Sequence, residues 1–336
     1  MEVSSLLAAV LIVRDEAAML PAGLESLAGV VDEIFVYDTG SLDGTPEVAS
    51  RLGATVTRGV WDDDFAAARN RAMATVPADW VLAVDADHRV TADPAVLRRI
   101  LAVATVDTLR VEVDDAHHSD PYRQWETRIF RPSAVTWSGR VHERLIRPDG
   151  SAPTSATVPA SVLQLRHLGY ATHPDRIRRA RRNLALSHRM LDDLTGTDDR
   201  PGAARTLLAL GRDCAAAERW QQAVDTFEAL RELFPGTPEW TQATDGLARV
   251  VLASGYDQVC LVLVGQLRSA GAPPAYCDWL AAQALAQLGD PHEAGRLLAG
   301  VTEVVDTAGR RRDTTALREL AGLVDRLREL APRGEV

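Results

Sequence analysis

At 336 residues the chain is long enough for two domains or one large one, and 46% hydrophobic with 25% charged residues is ordinary for a globular protein in water. The formal net charge of −10 argues against a duplex nucleic-acid partner, which demands a basic surface, but leaves a nucleotide ligand open. All 37 basic residues are arginine, which excludes lysine-dependent mechanisms such as a Walker-A loop, a pyridoxal Schiff base or a response-regulator site.

Short apolar runs alternate with helical patterns through the first half, the signature of an α/β domain. Leu6 to Val13 reads as a strand, too short for a membrane span and preceded by Glu2 rather than a basic segment. Residues 16–29 read as a helix carrying Leu20, Leu24 and Leu27 on one face. A second strand is expected over 31–38, then the turn-rich TGSLDGT, a helix from Pro46 to Leu52 and a third strand over 54–60. The run WDDDFAAARNRAMATV predicts a helix with Asp62 to Asp64 at its N-terminus. VLAVD (81–85) then reads as a fourth strand, in the run VLAVDADH (81–88) that ends with two carboxylates one residue apart. On a strand, Asp85 and Asp87 would share one side of the sheet, where like charges repel unless a cation or donors relieve them. Polar signals gather at the C-terminal ends of these strands, where open α/β sheets bind ligands.

From about Asp175 onward strand signals fade. Residues 176–194 predict a long helix and 195–202 a linker. A weak repeat follows: Trp220-x-x-Ala223-x-x-x-Phe227, Tyr256-x-x-Val259-x-x-x-Leu263 and Pro291-x-x-Ala294-x-x-x-Leu298. That period suits stacked helical hairpins of the tetratricopeptide kind, with an irregular helical bundle as the alternative. The charged stretch 310–331 reads as a terminal capping helix. Cys214, Cys260 and Cys277 lack metal-ligand spacing and read as reduced core residues of a cytoplasmic protein.

Four stretches carry chemistry: Arg14-Asp15-Glu16, Asp38 to Thr45, Ala68-Arg69-Asn70-Arg71 and Asp85-Ala86-Asp87. Together, as LIVRDE, VDEIFVYDTGSLDGT, WDDDFAAARN and VDAD, they resemble the family 2 glycosyltransferases of the GT-A nucleotide-sugar fold, over about residues 8–175. Arg14 and Asp15 stand where the subgroup usually has Lys and Asn. Some relatives in that subgroup carry a helical repeat domain behind the catalytic one. The resemblance implies a Rossmann-like GT-A domain over 1–175, a long helix and linker over 176–202, and an all-α, tetratricopeptide-like domain over 203–336.

It further implies a UDP-, GDP- or TDP-sugar donor and a Mn²⁺ or Mg²⁺ cofactor, hard cations that take oxygen ligands. In that scheme the Asp-x-Asp motif supplies Asp87 as direct metal ligand, with Asp85 reaching the ribose or a metal-bound water, and His167 of RHLGY as a third ligand. Asp38 would accept from the nucleobase, with Glu16 nearby, and Arg14, Ser41 and Arg69 complete the donor set. WETRIFRPSAVTWSGRVHERL (125–145) matches the subgroup's downstream pattern and offers Glu143 as the general base of an inverting transfer. Glu126 and Asp120 are rivals for that role, and a salt bridge from Glu143 to Arg140 or Arg144 is the structural alternative. His117 and His118 read as a loop over the acceptor. The implied activity is a hexosyltransferase type acting on a peptide, glycan, natural-product or lipid-carrier acceptor, with a homodimer as one option.

Competing readings fare worse on residues. A sugar nucleotidyltransferase would place a glycine-rich loop after strand one, where only Gly23 occurs, and it normally uses a lysine. A haloacid-type phosphatase continues its Asp-x-Asp to Thr or Ser, where this chain reads His88-Arg89-Val90. An inactive transferase-like domain serving a helical-repeat scaffold is the non-enzymatic alternative.

Overall fold

The computed structural model describes residues 5–115, 122–169 and 172–330. These fall into two compact units that part, Tyr122 aside, between residues 169 and 172. The expected order, α/β and then all-α, is the observed one.

In the first unit, strands β1 (Ser5–Val13), β2 (Glu33–Asp38), β3 (Thr55–Arg58) and β4 (Ala78–Ala83) alternate with helices α1 (Leu20–Glu25), α2 (Thr45–Arg51) and α3 (Phe65–Met73). Then come β5 (His88–Ala92), α4 (Pro94–Val103), β6 (Thr108–Asp115), β7 (Tyr122–Phe130), β8 (Thr136–Ser138), β9 (Arg144–Ile146), β10 (Ser155–Thr157) and β11 (Leu163–His167). The main sheet runs β3-β2-β1-β4-β7-β6-β11-β5. β1 to β4 pair parallel, so their C-terminal ends meet at one edge. β11 pairs antiparallel with β5 and sets His167 opposite His88, one residue from Asp87.

Strand alternation builds the core. Leu7, Ala9, Leu11 and Val13 of β1 pack with Trp80 and Leu82 of β4 in one buried cluster, while Val10, Val81 and Ala83 join Ala66, Ala68 and Phe130 on the opposite face. Two expected elements are shorter than their pattern. The helix expected over 16–29 forms only at Leu20–Glu25, because the N–H groups of Asp15, Glu16 and Ala17 are taken by Ser41, Thr45 and Asp43 side chains. The helix after Trp61 starts at Phe65, where the Asp64 carboxylate accepts the Ala67 N–H at 2.8 Å.

The second unit is helical: α5 (His173–Leu194), α6 (Arg200–Ala216), α7 (Trp220–Leu233), α8 (Pro238–Ala253), α9 (Asp257–Ser269), α10 (Pro274–Gln287), α11 (Pro291–Leu298) and α12 (Thr314–Leu330). Each helix packs on the next, and α6, α8 and α10 also reach the helix two further on, the arrangement of stacked hairpins. The linker is shorter than expected. Asp199 caps α6 by accepting the Gly202 N–H, and Pro201 sits in the first turn, where a missing N–H costs nothing. In the middle repeat Leu263 is buried as the pattern expects, but the small position is shifted by one residue: Cys260 is buried, whereas Val259 is 48% exposed. α9 begins at Asp257, one position later than the pattern assumed.

Candidate active site

Asp85 and Asp87 do not stand on a strand. β4 ends at Ala83, Ala86 and Asp87 form a turn, and the His88 N–H closes it on the Asp85 carbonyl at 3.0 Å. Strand alternation therefore does not orient the two carboxylates, and within the turn they take different partners. Gly23 makes the approach of α1 possible, since a Cβ there would lie 2.8 Å from the Ala86 carbonyl oxygen.

Asp85 is claimed by arginines. Its Oδ1 accepts from Arg69 Nη2 at 3.1 Å and its Oδ2 from Arg128 Nη1 at 3.2 Å. Burial raises its pKa, but Arg69 and Arg128 outweigh this and hold it well below the usual carboxylate range. Arg69 lies on α3, 8% exposed, and its Nε donates to Glu143 Oε1 at 2.6 Å. Arg128 completes its own fork on Glu126 Oε2, through Nε at 2.8 Å and Nη2 at 2.7 Å. Glu126 is thus a half-buried carboxylate kept ionised: burial raises its pKa, but Arg128 brings it below its ordinary value.

Asp87 faces the other way. Its Oδ2 lies 3.1 Å from His167 Nε2, and His167 Nδ1 lies 3.1 Å from Asp115 Oδ1. Asp87 Oδ1 is buried and finds no hydrogen-bond partner among the described residues. Burial draws the His167 pKa down, but hydrogen bonds to Asp115 and Asp87 push it up to about 9. Gly169 closes this corner: a Cβ there would stand 1.9 Å from Asp87 Oδ2 and 2.8 Å from His167 Nε2.

Asp87, His88 and His167 bring ligand-type atoms within 4.8 Å of one another. His88 serves the turn instead of a ligand position. Its Nδ1 accepts the Asp85 N–H at 3.0 Å, which leaves the proton of a neutral ring on Nε2. Burial, then the Arg128 charge, lowers its pKa to about 4, so the ring is neutral. A carboxylate with an orphaned oxygen, an imidazole oriented by a second carboxylate and a glycine that keeps a side chain out of the corner fit a divalent cation through Asp87 and His167.

The loop after β2 is wired to the loop after β1. Asp38 Oδ1 accepts the N–H groups of Gly40 and Ser41 at 3.0 Å each, while its buried Oδ2 has no partner among the described residues. Ser41 Oγ accepts the Asp15 N–H at 2.8 Å, and Asp15 Oδ1 accepts the Leu42 N–H at 2.7 Å. Asp15 sits at φ 55°, a left-handed conformation that Asn and Asp tolerate best, which explains why Asp can stand where the resembling subgroup has Asn. Glu16 is half-buried beside these acids. Burial first, then Asp87, Asp43, Asp85 and Asp15, raise its pKa to about 7. Arg14 is exposed, 4.0 Å from Asp15.

The structure therefore gathers Asp85, Arg69 and Glu143 in one ion-paired group, Asp87 and His167 in a second, and Asp38, Ser41 and Glu16 in the loops beside them. Asn70 serves the frame: its Oδ1 accepts from Trp137 N at 2.9 Å and Thr136 Oγ1 at 3.0 Å, tying α3 to β8. His117, His118 and Asp120 lie outside the described residues. Sequence reading did not single out Arg128, Asp115, His88 or Gly169. The motifs around residues 128 and 169 were visible, but nothing in them says which side chains meet.

Comparison with known proteins bears on the family of the first unit. Residues 8–147 match Glycosyl transferase family 2. The SPbeta prophage-derived glycosyltransferase SunS of Bacillus subtilis (strain 168) is 25% identical over 223 residues, 64% of this chain and 50% of that protein. A TPR repeat-containing protein of Synechococcus elongatus is 50% identical over 80 residues, 24% of this chain and 20% of its own length. The crystal structure of S. aureus TarS aligns with 68% of this chain and 49% of its own, at 12% identity and a TM-score of 0.40. The chain spans half or less of the length of each of these relatives. Residues 8–147 of this chain are thus similar to glycosyl transferase family 2 domains.

Proposed function

We propose that the protein transfers a sugar, of the hexose type, from a UDP-, GDP- or TDP-sugar to an acceptor hydroxyl or other nucleophile, with inversion and with Mn²⁺ or Mg²⁺ as cofactor. The observation that carries this reading is the Asp87–His167 corner, with its orphaned carboxylate oxygen and the glycine packed against both side chains, where any other residue would intrude. Asp87 and His167 would hold the cation, and a bound cation would neutralise the diphosphate and ease its departure as a Lewis acid. Asp38, with one carboxylate oxygen still unpartnered, is suited to accept an N–H of the nucleobase.

Glu143 is the proposed base. Arg69 occupies its Oε1, so Oε2 is the oxygen that would take the acceptor's proton. As that proton moves to Glu143, the acceptor atom bonds the anomeric carbon, and the bond from that carbon to the diphosphate breaks with its electron pair leaving on the diphosphate oxygen. Glu126, already forked by Arg128, is the poorer candidate.

We assign this chemistry to residues 1–175, with 176–202 as helix and linker. Residues 203–336 would form a docking or self-association surface, since stacked helical hairpins present extended faces. The acceptor is a peptide, glycan, natural product or lipid carrier; among the described residues no helix is long and apolar enough to cross a membrane.

The test is thermal shift with UDP-, GDP- and TDP-sugars, with and without Mn²⁺ or Mg²⁺, on wild type and Asp87→Ala. Binding raises Tm by linkage, by about 2.7 kcal/mol of stability at a hundredfold excess over Kd. A cation-dependent shift lost in Asp87→Ala is the expected result. No shift with any donor would favour a scaffold built on an inactive domain.

A further inference from the structure

The first acidic residue of the Asp-x-Asp pair is bound on both oxygens by two different arginines, and each arginine is bound in turn by a glutamate. The chain Glu143–Arg69–Asp85–Arg128–Glu126 alternates sign at every step, with contacts of 2.6 to 3.2 Å. Arg69 comes from α3, Asp85 from the turn after β4, Glu126 and Arg128 from β7, and Glu143 from the loop before β9. The arginine side chains are 10% and 15% exposed. Arg69 also lies over the Trp137 ring at 5.1 Å, which keeps it from turning elsewhere.

Five charged groups from four separate segments are costly to bring out of water, and a sheet edge can be stabilised more simply by apolar packing. What the chain accomplishes is specific to its place. Its two guanidiniums offset the charge of Asp85, one of the acids whose charges act on Glu16 together with Asp87 and Asp43, although three carboxylates to two arginines leave the chain as a whole with one net negative charge. It also fixes Asp85, and through Arg69 the same guanidinium fixes Glu143.

We propose that Arg128 is a positioning residue of the site: together with Arg69 it keeps both oxygens of Asp85 occupied, so that this edge admits a nucleoside diphosphate and leaves the cation to Asp87 and His167. This rests on the reading of the site as a nucleoside-diphosphate site with a cation.

Removing Arg128 makes two effects run in opposite directions. With Arg69 still on Oδ1, the freed Oδ2 of Asp85 becomes a hard oxygen ligand two residues from Asp87, so Mn²⁺ binds more tightly in the absence of nucleotide. The same uncovered charge repels a diphosphate, so nucleotide binds more weakly. A purely structural role for Arg128 cannot produce that pattern, because loosening the site weakens both.

The experiment titrates Mn²⁺ alone, by electron paramagnetic resonance, and then the nucleoside diphosphate of the donor series giving the largest thermal shift, by calorimetry at saturating Mn²⁺. Wild type, Arg128→Met, Arg128→Lys and Asp87→Asn are compared. Because Arg128→Met strands Glu126, the double variant Glu126→Gln/Arg128→Met is run beside it to remove the leftover charge. The expected result is several-fold tighter Mn²⁺ and at least several-fold weaker nucleotide in both Met variants, with Arg128→Lys returning most of the way to wild type. Joint weakening of both ligands in the folded double variant, or no change in either, overturns the proposal while wild type still binds Mn²⁺ and nucleotide. Should wild type bind neither, the underlying site reading fails instead, and the positioning role with it.

Discussion

His167 shows how a few contacts set the behaviour of one residue. Its imidazole is shared between Asp87 and Asp115, and its pKa near 9 means that it carries a proton at neutral pH. A cation on Nε2 must displace that proton, so Mn²⁺ affinity should climb about tenfold per pH unit up to ~9 and level off above it. His167→Gln should flatten the slope, and titrations of Mn²⁺ between about pH 6.5 and 9 would read it. The stability effect has the opposite sign. A folded-state pKa raised above the unfolded one stabilises the protein fully at lower pH, and that contribution disappears as pH rises through about 9. Gly169 gives a second test at this scale. Gly169→Ala puts a methyl against Asp87 Oδ2 and should abolish Mn²⁺ binding while costing about 1–3 kcal/mol of stability. Retained Mn²⁺ affinity in a folded Gly169→Ala protein would separate this corner from the cation. The identities of Asp87 and His167 were legible in sequence motifs. Asp115 was not, because it lies on a strand more than fifty residues from its partner and only sheet pairing brings it there.

Among elements, β4 and its turn teach the most. The apolar run before Asp85 does form a strand, but it ends two residues early, and the chain reverses into β5 through a turn held by His88. Periodicity finds the run and cannot find its last residue, because the end is set by a contact three residues further on. The repeat helices follow the same logic. Gly211 of α6 and Gly246 of α8 both lie against the ring of Phe227 on α7, with ideal Cβ positions 2.5 and 2.6 Å from ring atoms. Ala would ordinarily favour a helix by about 1 kcal/mol over Gly. Here overpacking should win, so Gly246→Ala is expected to destabilise by about 1–3 kcal/mol, measured by denaturant unfolding, and a stabilised variant would contradict the packing. The weak repeat signal announced hairpins; the one-residue offset at Cys260 was hidden because Val259 and Cys260 are both apolar and only burial tells them apart.

At the scale of the whole molecule, the apolar cores are separate. One cluster runs from Ala180 to Val324 and draws only on the helical unit, while the two clusters on the faces of the sheet draw only on the first. A unit with its own core should fold alone. Residues 172–336 expressed by themselves are expected to give a helical circular-dichroism spectrum and a cooperative unfolding transition; a non-cooperative, unfolded product would show that the core depends on the first unit.

Composition, lysine content and the order of four motifs were enough to determine the α/β-then-α architecture and the family resemblance of residues 8–147, because strand and helix periods and turn residues act over a few positions at a time. The tertiary structure alone decided how the motif carboxylates are shared out. Asp85 belongs to the arginines and Asp87 to the histidine, since those partners arrive from β7, α3 and β11, and electrostatics between them operates across space that local sequence patterns do not encode.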